Sequence, residues 1–582
     1  DELITVGSFG CSCGRGSKTI SSRVCFRCAI GPSLDGVGAL RKLLKMVMLL
    51  LAALVTFGTI LCDNPRAFES DFHFIDLPKS HLPLYFRRFP KLEAKCRADP
   101  ACEHREAIAT ESFRSRKDRC WGYEENCPES SRFSRPRCPG SHKGYVKSKE
   151  AQLETFYAQG DFGFVRDQVR EMRIMCEPTF PHDSALECSK YLRFCRGRNI
   201  MVNFTDLATR NEPLRYKMDV LSQGQIGGHC KLHRERLENE LEHISPLQSW
   251  GPELRFFETL NRPLSEGGHC DVTIERPAFI MKIDATINMY HHFCDFINLY
   301  MSQHANLSDP DGFSTDVEIL VWESYTYSSP FAEAFKVFTR HPIADLKTFA
   351  GQVVCFKNLV LPLLPRMIFG LYYNTPIISG CENSGLFQAF SEHVLHRLRI
   401  PLKSHTDRKL RITFLSRDTK YRRVLNEHEL LEEISEDERY LVNRVSFSYT
   451  MNFREQLRIT RNTDIFIGMH GAGLTHLLFL PKWAALFELY HCEDTNCYKD
   501  LARLKGVRYL TWENDSLLYP EDEGHHPDGG GRHAKFTNYA FDKKEFARLV
   551  AVAAEHVWNH ADYEQFVERS RRKKEKVVKE EL

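Results

Sequence analysis

The sequence lacks the short motifs that identify several large enzyme classes. It contains no Walker A loop, no HExxH pair of the zinc proteases and no complete GxGxxG dinucleotide fingerprint. Its only Asp-x-Asp stands at residues 309–311, in a predicted loop that is unsuited to holding a catalytic metal. The net charge is only +2, so a broad basic surface for nucleic acid is not expected.

Long apolar runs are also scarce, and the clearest one spans residues 46–62 behind a basic flank. This pattern predicts a secretory signal peptide. A membrane anchor is the alternative, but the run is at the lower limit for spanning and is interrupted by threonine and glycine. We therefore expect no stable membrane span, a true start at Met46, and a disordered or upstream leader at residues 1–45.

The chain ends in Lys579, Glu580, Glu581 and Leu582, which resembles the KDEL-type address of soluble proteins of the endoplasmic reticulum. Residues 566–582 are expected to be a basic, solvated tail that exposes this address. Together with a signal peptide, the address predicts residence in the lumen of the endoplasmic reticulum and a KDEL-type receptor as partner.

Cysteine usage agrees with an oxidising compartment. Fifteen cysteines follow residue 62, and eight of them fall between Cys96 and Cys195. Such density predicts disulfides, although their connectivity cannot be derived. Because the number is odd, at least one thiol is expected, and Cys294 is the candidate. Three sequons predict glycan acceptors at Asn203, Asn306 and Asn514.

The hydrophobic pattern divides the chain into three parts. Residues 63–245 read as a cysteine-rich, mostly helical region, which is expected to be a cap on the main body; a separate acceptor-binding module is the alternative. Residues 246–401 and 402–565 each alternate strands and helices. This α/β pattern predicts two Rossmann-like domains that face a cleft, the second one closed by a C-terminal helix.

The stretch 463–480 reads as a buried strand, a tight glycine turn and a helix that opens at Leu474. Backbone N–H groups at such a turn, together with the helix dipole, favour a diphosphate. A tight turn without ligand is the alternative. The residues predicted to bind substrate here are His470, Gly471, Ala472, Gly473, Leu474, Thr475 and His476.

A predicted helix at 288–304 carries Asn288, His291, His292 and Asp295 on one side. His291 and Asp295 are four residues apart, and a carboxylate within reach of an imidazole raises its basicity, as a general base requires. Four polar groups on an otherwise apolar helix are costly unless their hydrogen bonds are satisfied. The alternative is a buried hydrogen-bond cluster that stabilises the core.

Basic residues follow the predicted strand 411–415. Arg417 and Arg422 are suited to a departing diphosphate because the guanidinium group pairs bidentately with phosphate oxygens, and Asn426 completes this block. A solvated charged loop is the alternative. Glu488 ends a later strand, where a carboxylate commonly binds ribose hydroxyls.

The motifs GMHGAGLTHLLFLP and NMYHHFCDF combine with the block 417–427 and the double Rossmann pattern. Together they resemble the glycosyltransferase family that includes plant xylan arabinosyl- and xylosyltransferases. Shorter stretches resemble the branch of that family that modifies EGF-like domains in the endoplasmic reticulum, namely SPLQSW, QIGGHCKL, LLPRM, YYNTP, ISGC and KFTNY. The resemblance covers most of residues 75–565.

The resemblance implies a GT-B fold and an inverting enzyme that uses UDP-N-acetylglucosamine. Its acceptors would be Ser or Thr hydroxyls in folded EGF-like domains, those of Notch receptors among them. Relatives carry Asp-Tyr-Asp after a Phe-Thr pair, whereas residues 338–342 read Phe-Thr-Arg-His-Pro. No cofactor is therefore expected to be required, and a divalent cation such as Mn²⁺ has no support in the sequence.

On this interpretation Asp295 or His291 removes the proton from the acceptor hydroxyl. Arg417, Arg422 and the amides of the glycine turn compensate the charge of the departing UDP, while Glu488 holds its ribose. Two other functions stay open. One is a sibling transferase that acts on another acceptor, such as O-mannosyl glycans. The other is a non-catalytic lumenal lectin or chaperone, which predicts no binding of UDP.

Overall fold

The protein is described by a computed structural model over residues 72, 74–306, 310–367, 378–489 and 496–581. Four predicted features lie outside the described residues, namely the leader 1–45, the signal peptide 46–62, Cys492 and Leu582. None of the helices in the described ranges is long and apolar enough to cross a membrane.

Short helices form the first part of the described chain. Their bounds are Leu82–Arg88, Pro90–Ala98, Arg105–Ala109, Glu111–Arg114, Lys149–Gly160 and Phe162–Arg170. The buried Asp161 carboxylate caps the last of them through the Phe162 amide (2.7 Å) and also accepts the amides of Gly385 and Leu386 (both 3.0 Å). Burial raises its pKa to about 6 against these hydrogen bonds. One carboxylate therefore fixes this region to a later helix, Gly385–Arg397.

A large mixed sheet follows the short helices. Its strands are β1 Arg173–Glu177, β2 Ala185–Cys188, β3 Cys195–Asn203, β4 Ile226–Gly228, β5 Lys231–Leu232, β6 Phe257–Thr259, β7 Val272–Ile274, β8 Ala278–Met281, β9 Glu318–Val321, β10 Ala344–Asp345 and β11 Val353–Leu361. The main order is β10-β9-β8-β11-β3-β2-β1-β5, with β4 beside β3, β6 beside β4 and β7 beside β11. Strand β11 pairs in parallel with β8 and antiparallel with β3.

The prediction that residues 63–245 are mostly helical is therefore wrong beyond residue 172. Five strands lie between residues 173 and 232, and they join the sheet of the later strands, so the predicted boundary at 245/246 does not separate two sheets. The physical reason is that β3 pairs with β11, about 150 residues away in sequence. The local hydrophobic pattern of the sequence cannot indicate a strand partner this far along the chain.

The second sheet has five parallel strands. They are β12 Leu410–Ser416, β13 Tyr440–Ser446, β14 Ile465–Met469, β15 Ala485–Leu489 and β16 Arg508–Thr511. Their order is β13-β12-β14-β15-β16, so the winding direction of the chain reverses between β12 and β14. In open α/β sheets, ligands bind outside the carboxyl ends of the strands at such a reversal point.

Helices and a small hairpin complete the fold. The remaining helices are Arg234–Asn239, Gly251–Leu254, Met289–Ala305, Glu427–Ser435, Phe453–Arg461, Cys497–Lys505, Lys543–Trp558 and Ala561–Glu581. The hairpin pairs β17 Leu518–Pro520 with β18 Tyr539–Phe541. The predicted helix after the glycine turn is a 3₁₀ helix, Ala472–Phe479.

Six disulfides connect the described chain, and Cys294 is a buried thiol, as predicted. The pairs are Cys96–Cys102, Cys120–Cys127, Cys138–Cys381, Cys176–Cys230, Cys188–Cys195 and Cys270–Cys355. Cys138–Cys381 spans 243 residues and joins the N-terminal helical part to the segment before Gly385–Arg397.

Removing the long disulfide is expected to destabilise the protein more than removing a short one. The chain-entropy model gives about 5 kcal/mol for a loop of this length and about 2.5 kcal/mol for the 7-residue loop of Cys188–Cys195. The double variant Cys138→Ser/Cys381→Ser should therefore lose more melting temperature than Cys188→Ser/Cys195→Ser in thermal unfolding. An equal or smaller loss would contradict the assigned role of the long crosslink.

Candidate active site

The candidate site lies at the carboxyl ends of β12 and β14, where the winding reverses. Arg417 follows the last residue of β12, and His470 and Gly471 follow β14. Leu415 and Gly468 are register partners, so the two strand ends lie side by side. The basic block and the glycine turn, which are predicted separately from the sequence, thus meet at one place.

The guanidinium groups of Arg417 and Arg422 converge on one backbone carbonyl. Both Nη1 atoms lie 3.3 Å from the carbonyl oxygen of His470. Burial lowers the pKa of Arg417 to about 10, and the positive charge of Arg422 adds to this effect. In the part of the chain that the structure describes, neither guanidinium group lies within ion-pair distance of a carboxylate. Two adjacent cations without an acidic partner favour a bound anion.

Arg422 has an unfavourable backbone conformation that neighbouring residues stabilise. Its φ of 58° is uncommon for a residue other than glycine, and its amide donates to the Thr537 carbonyl oxygen over 2.8 Å. Its Nε is buried and lacks a hydrogen-bond partner among the described residues. A buried donor of this kind costs free energy unless a ligand accepts its proton.

The absence of side chains at Gly471 and Gly473 of the glycine turn leaves room for Arg417 and Leu415. A Cβ at Gly471 would stand 2.1 Å from Nη1 of Arg417, and a Cβ at Gly473 would stand 2.8 Å from Cδ2 of Leu415. Ala472 and Gly473 are half-buried, whereas the residues after them are buried. The backbone at the start of the 3₁₀ helix is therefore the accessible part of the turn.

Glu488, at the end of β15, holds His470 in place. One carboxylate oxygen lies 2.5 Å from Nδ1 of His470, and the other accepts the Tyr509 hydroxyl over 2.7 Å. Both oxygens thus have protein partners, and the carboxylate is buried. A direct bond from Glu488 to a ribose hydroxyl stays a prediction.

The helix Met289–Ala305 brings a second set of polar groups to the site. Asn288 caps it by accepting the Tyr290 amide over 3.0 Å. Nδ1 of His291 lies 2.9 Å from Asp284 Oδ2, and the other oxygen of Asp284 accepts Nη2 of Arg366 over 2.8 Å. Although burial raises the pKa of Asp284, hydrogen bonds from His291 and Arg366 lower it below its ordinary value.

The expected pairing of His291 with Asp295 is not formed, and Asp295 pairs with His292 instead. Asp295 Oδ2 lies 3.1 Å from His292 Nδ1, and His292 Nε2 lies 2.6 Å from the Tyr327 hydroxyl. Burial raises the pKa of Asp295 well above its ordinary value, with the charge of Asp284 adding to it, and burial lowers the pKa of His292 to about 3. These two side chains form a buried, satisfied cluster below the site.

Aromatic rings connect the two sets of residues. The ring of Tyr498 lies 5.7 Å from that of Tyr290 and 5.3 Å from that of His470, edge to face in both cases. Tyr290 precedes His291 at the start of its helix. These rings thus connect the start of the His291 helix to the glycine turn, two features that are predicted in separate domains.

Other predicted binding residues point elsewhere. His476 is buried, with Nδ1 2.8 Å from the Gly473 carbonyl oxygen and Nε2 3.0 Å from Gln456 Oε1, and burial lowers its pKa to about 4. The side chains of Leu474 and Thr475 are also buried. Their substrate contacts stay a prediction, while the 3₁₀ helix, with three residues per turn, directs their side chains into the core.

The side chain of Asn426 is hydrogen-bonded to the last residue of β18, and its contact with a substrate stays a prediction. Its amide donates to the Phe541 carbonyl oxygen over 2.9 Å and accepts the Phe541 amide over 3.1 Å. The polar segment 535–539 packs behind the arginine block, where Asn538 accepts the Arg423 amide. This segment therefore positions the basic loop.

Five residues of the site escape the sequence prediction, namely Asp284, Tyr327, Arg366, Tyr498 and Tyr509. Asp284 could have been predicted by the reasoning applied to Arg417, because it is a polar residue that closely follows a buried strand, β8. Tyr327 and Arg366 come from loops, Tyr498 from a helix and Tyr509 from strand β16, and the sequence does not give the direction of these side chains. They are brought to the site only by the packing of the fold.

Metal ligands do not gather at the site in the described ranges. Among the described residues, the one group of three potential metal ligands is Cys120, Glu124 and Cys127. Its two cysteines are joined in a disulfide. Arg340 and His341, where the resemblance expects an acidic motif, both pair with Asp316.

The predicted glycan acceptors differ in their surroundings. Asn514 is exposed and caps a 3₁₀ turn through Ser516, and Asn203 is half-buried at the end of β3. Asn306 caps the C-terminal end of helix Met289–Ala305, and the rest of its sequon lies outside the described residues.

Comparison with known proteins adds a family to this geometry. The model of glycosyltransferase 61 matches residues 289–487. A protein of Drosophila melanogaster named EGF domain-specific O-linked N-acetylglucosamine transferase is 57% identical over 493 residues, 84% of this chain and 92% of that protein. A protein with the same name from Rattus norvegicus is 48% identical, over 98% of its own length and 88% of this chain. Another from Gallus gallus is 47% identical, over 91% of its own length and 84% of this chain.

Replacing Arg422 with Gln is expected to weaken the binding of UDP by about tenfold to a hundredfold. A hydrogen bond to a charged group contributes about 1.5–3 kcal/mol, and the variant removes the charge that faces the anion. Arg423→Gln is the matched control, because this neighbouring arginine is exposed. The dissociation constant of UDP, measured by calorimetry, should stay within about twofold in the control. Equal dissociation constants of UDP in the two variants would contradict the role of Arg422 in binding the diphosphate.

Proposed function

Since the chain belongs to the glycosyltransferase 61 family, among its EGF domain-specific O-linked N-acetylglucosamine transferases, we propose that it transfers N-acetylglucosamine to Ser or Thr hydroxyls of folded EGF-like domains. The donor is UDP-N-acetylglucosamine. One observation carries the proposal. Among the described residues, two guanidinium groups without carboxylate partners converge on the His470 carbonyl oxygen at the winding reversal of a parallel sheet, and the imidazole of His470 is held by the buried carboxylate of Glu488.

The proposed architecture is of GT-B type, with a donor half and an acceptor half. The donor half is the second sheet, whose arginine pair and glycine turn receive the diphosphate. The acceptor half is the first sheet with the helix Met289–Ala305. His291 starts that helix and lies across the cleft from the diphosphate position, so the acceptor hydroxyl enters between the two halves.

The proposed reaction is a single displacement at the anomeric carbon of the donor sugar. The acceptor oxygen attacks that carbon, and the bond from the carbon to the phosphate oxygen breaks, which inverts the configuration. The hydroxyl proton passes to the catalytic base, and UDP leaves with the bonding electron pair. Arg417, Arg422 and the amides at Ala472 and Gly473 stabilise the negative charge that develops on the diphosphate.

His291 is the base in this mechanism. Its Nδ1 bonds Asp284, so the tautomer with the proton on Nδ1 is favoured and Nε2 is the basic nitrogen. About a quarter of its side chain is exposed (26%), whereas Asp295 is buried and its raised pKa favours the protonated form. A carboxyl that is already protonated accepts no further proton from a hydroxyl.

The arginine pair also supplies the positive charge that a metal ion supplies at other diphosphate sites. No step of the proposed mechanism is routed through a divalent cation such as Mn²⁺. Transfer in the presence of a chelator therefore tests the mechanism directly.

The proposed setting is the lumen of the endoplasmic reticulum. Disulfide pairing of 12 cysteines requires an oxidising compartment, and Lys579 lies exposed near the end of the C-terminal helix. Secreted and membrane proteins with EGF-like domains, such as Notch receptors, pass through this compartment. They are the proposed acceptors, and a KDEL-type receptor is the proposed partner for retrieval.

The proposed transfer is tested by incubating the purified chain with UDP-N-acetylglucosamine and a folded EGF-like domain, with and without EDTA. Intact mass spectrometry should show the addition of one N-acetylhexosamine in both samples. A reduced, unfolded repeat is the control acceptor and should react more slowly. Absence of transfer would contradict the proposed function, and transfer only without EDTA would contradict the metal-independent mechanism.

The choice of base is tested by comparing two variants. His291→Ala should lower kcat by about 10²- to 10⁴-fold, the range of general base catalysis, because it removes the group that takes the proton. Asp295→Asn should lower kcat by less than about tenfold, because the amide replaces a buried carboxyl below the site. His341→Ala is the matched control, since His341 is also half-buried beside a carboxylate (2.6 Å) but is remote in sequence from the site. A larger loss in Asp295→Asn would reverse the assignment.

A further inference from the structure

We propose that three exposed side chains beside His291, namely Tyr216, Ile287 and Tyr325, form the surface on which the folded EGF-like acceptor docks. The inference rests on the proposed function and adds to it the place of the acceptor protein. We call these three residues the docking surface. They come from three separate loops of the first half of the chain.

The docking surface is continuous with the catalytic groups. The Tyr216 hydroxyl donates to the backbone carbonyl oxygen of Asp284 over 3.4 Å, and Asp284 holds His291. Ile287 lies in the short loop between Asp284 and the start of the helix at Met289. An acceptor that touches these two residues therefore brings its hydroxyl close to His291.

Arg215 contacts both tyrosines of the docking surface, Tyr216 and Tyr325. Its Nη1 lies 3.0 Å from the Tyr325 hydroxyl and 3.5 Å from the buried carboxylate of Glu323, while its guanidinium group lies 5.0 Å from the Tyr216 ring centroid. The two tyrosines are thus held by one cation that is itself paired with an acid. Rigid side chains lose little conformational entropy when a partner binds.

A cavity of about 220 Å³ opens next to Tyr325. Its wall combines apolar groups with hydroxyls, including Ile283, Thr286, Thr326 and Ser328. Tyr327 also lines the cavity, and its hydroxyl forms a hydrogen bond with His292 of the helix Met289–Ala305. A cavity of this size takes one side chain of a docked protein, and its hydroxyls give that side chain hydrogen-bond partners.

The three side chains of the docking surface are exposed. Ile287 is 79% exposed, Tyr216 51% and Tyr325 43%. Single exposed apolar residues are common, but three around one cleft mark an interaction site. Tyrosine is enriched in protein interfaces because its ring gives apolar contact and its hydroxyl a hydrogen bond.

A folded EGF-like domain fits this surface better than a small acceptor does. The acceptor hydroxyl contacts only the catalytic base, so the contacts of the docking surface add affinity only if the acceptor is a protein of domain size. Small disulfide-bonded domains cannot bury all their apolar side chains, so they expose apolar groups that match tyrosine and isoleucine. The surface therefore selects the domain, while His291 acts on the hydroxyl.

The inference is tested with Ile287→Glu, which places a charge in the centre of the docking surface, and with Tyr325→Ala. Phe180→Glu is the matched control, because Phe180 is 65% exposed in a loop between β1 and β2. The KM for a folded EGF-like domain should rise by about tenfold in each surface variant and by less than about twofold in the control. The dissociation constant of UDP, measured on the same samples, reports whether the donor half is intact.

The outcomes separate this inference from the proposed function. Transfer by the unaltered chain, with the same KM in Ile287→Glu and Tyr325→Ala, would overturn the docking surface and leave the function standing. Absence of transfer by the unaltered chain would overturn the function itself. A raised KM with unchanged binding of UDP supports the docking surface, whereas an equal rise in Phe180→Glu would assign the effect to surface charge in general.

Discussion

The burial of one helix, Met289–Ala305, determines how the two sheets of this protein are related. Nearly all of its residues from position 292 onward are buried, which is typical of a helix that is covered on every side. Phe293 packs edge to face on Phe479 at 5.6 Å and lies 5.7 Å from Phe453, both from the second half of the chain. The same helix is hydrogen-bonded to the segment that follows β11 of the first sheet, because the side-chain amide of Asn298 donates to the Leu364 carbonyl oxygen over 2.9 Å. A shift of this helix would therefore move His291 relative to the arginine pair.

The polar groups of the site depend on this packing for their geometry. His291 is oriented by Asp284, His470 by Glu488, and Arg422 by a strained backbone that the loop at Thr537 stabilises. Each orienting group is buried or lies in a packed loop, so its hydrogen bonds are strong and its position is fixed. The site thus joins two rigid supports, one from each sheet. Its catalytic precision is a property of the shared core.

Much of the second sheet could be predicted from the sequence because its signals are local. The helix Phe453–Arg461 and the strand Ala485–Leu489 each show a clear hydrophobic period between breaking residues. The strands from 173 to 203 could not be found, because their stability comes from pairing with a strand far along the chain. The partner of His291 was missed for a related reason: residues three and four apart both face one side of a helix, and only the loop of Asp284 decides between them. His476 was misplaced because a 3₁₀ turn and an α-turn direct the same residue differently.

The disulfide between Cys138 and Cys381 has a consequence for biosynthesis. Three of the six crosslinks, such as Cys96–Cys102, join cysteines six or seven residues apart and can close as soon as they emerge from the ribosome. Cys138 must wait for a partner 243 residues later, and during synthesis at about 5–20 residues per second that delay exceeds ten seconds. Throughout this interval its thiol meets Cys176, Cys188 and Cys195 first. Any early mispairing with these nearer cysteines has to be corrected by thiol exchange before the native crosslink between Cys138 and Cys381 can form.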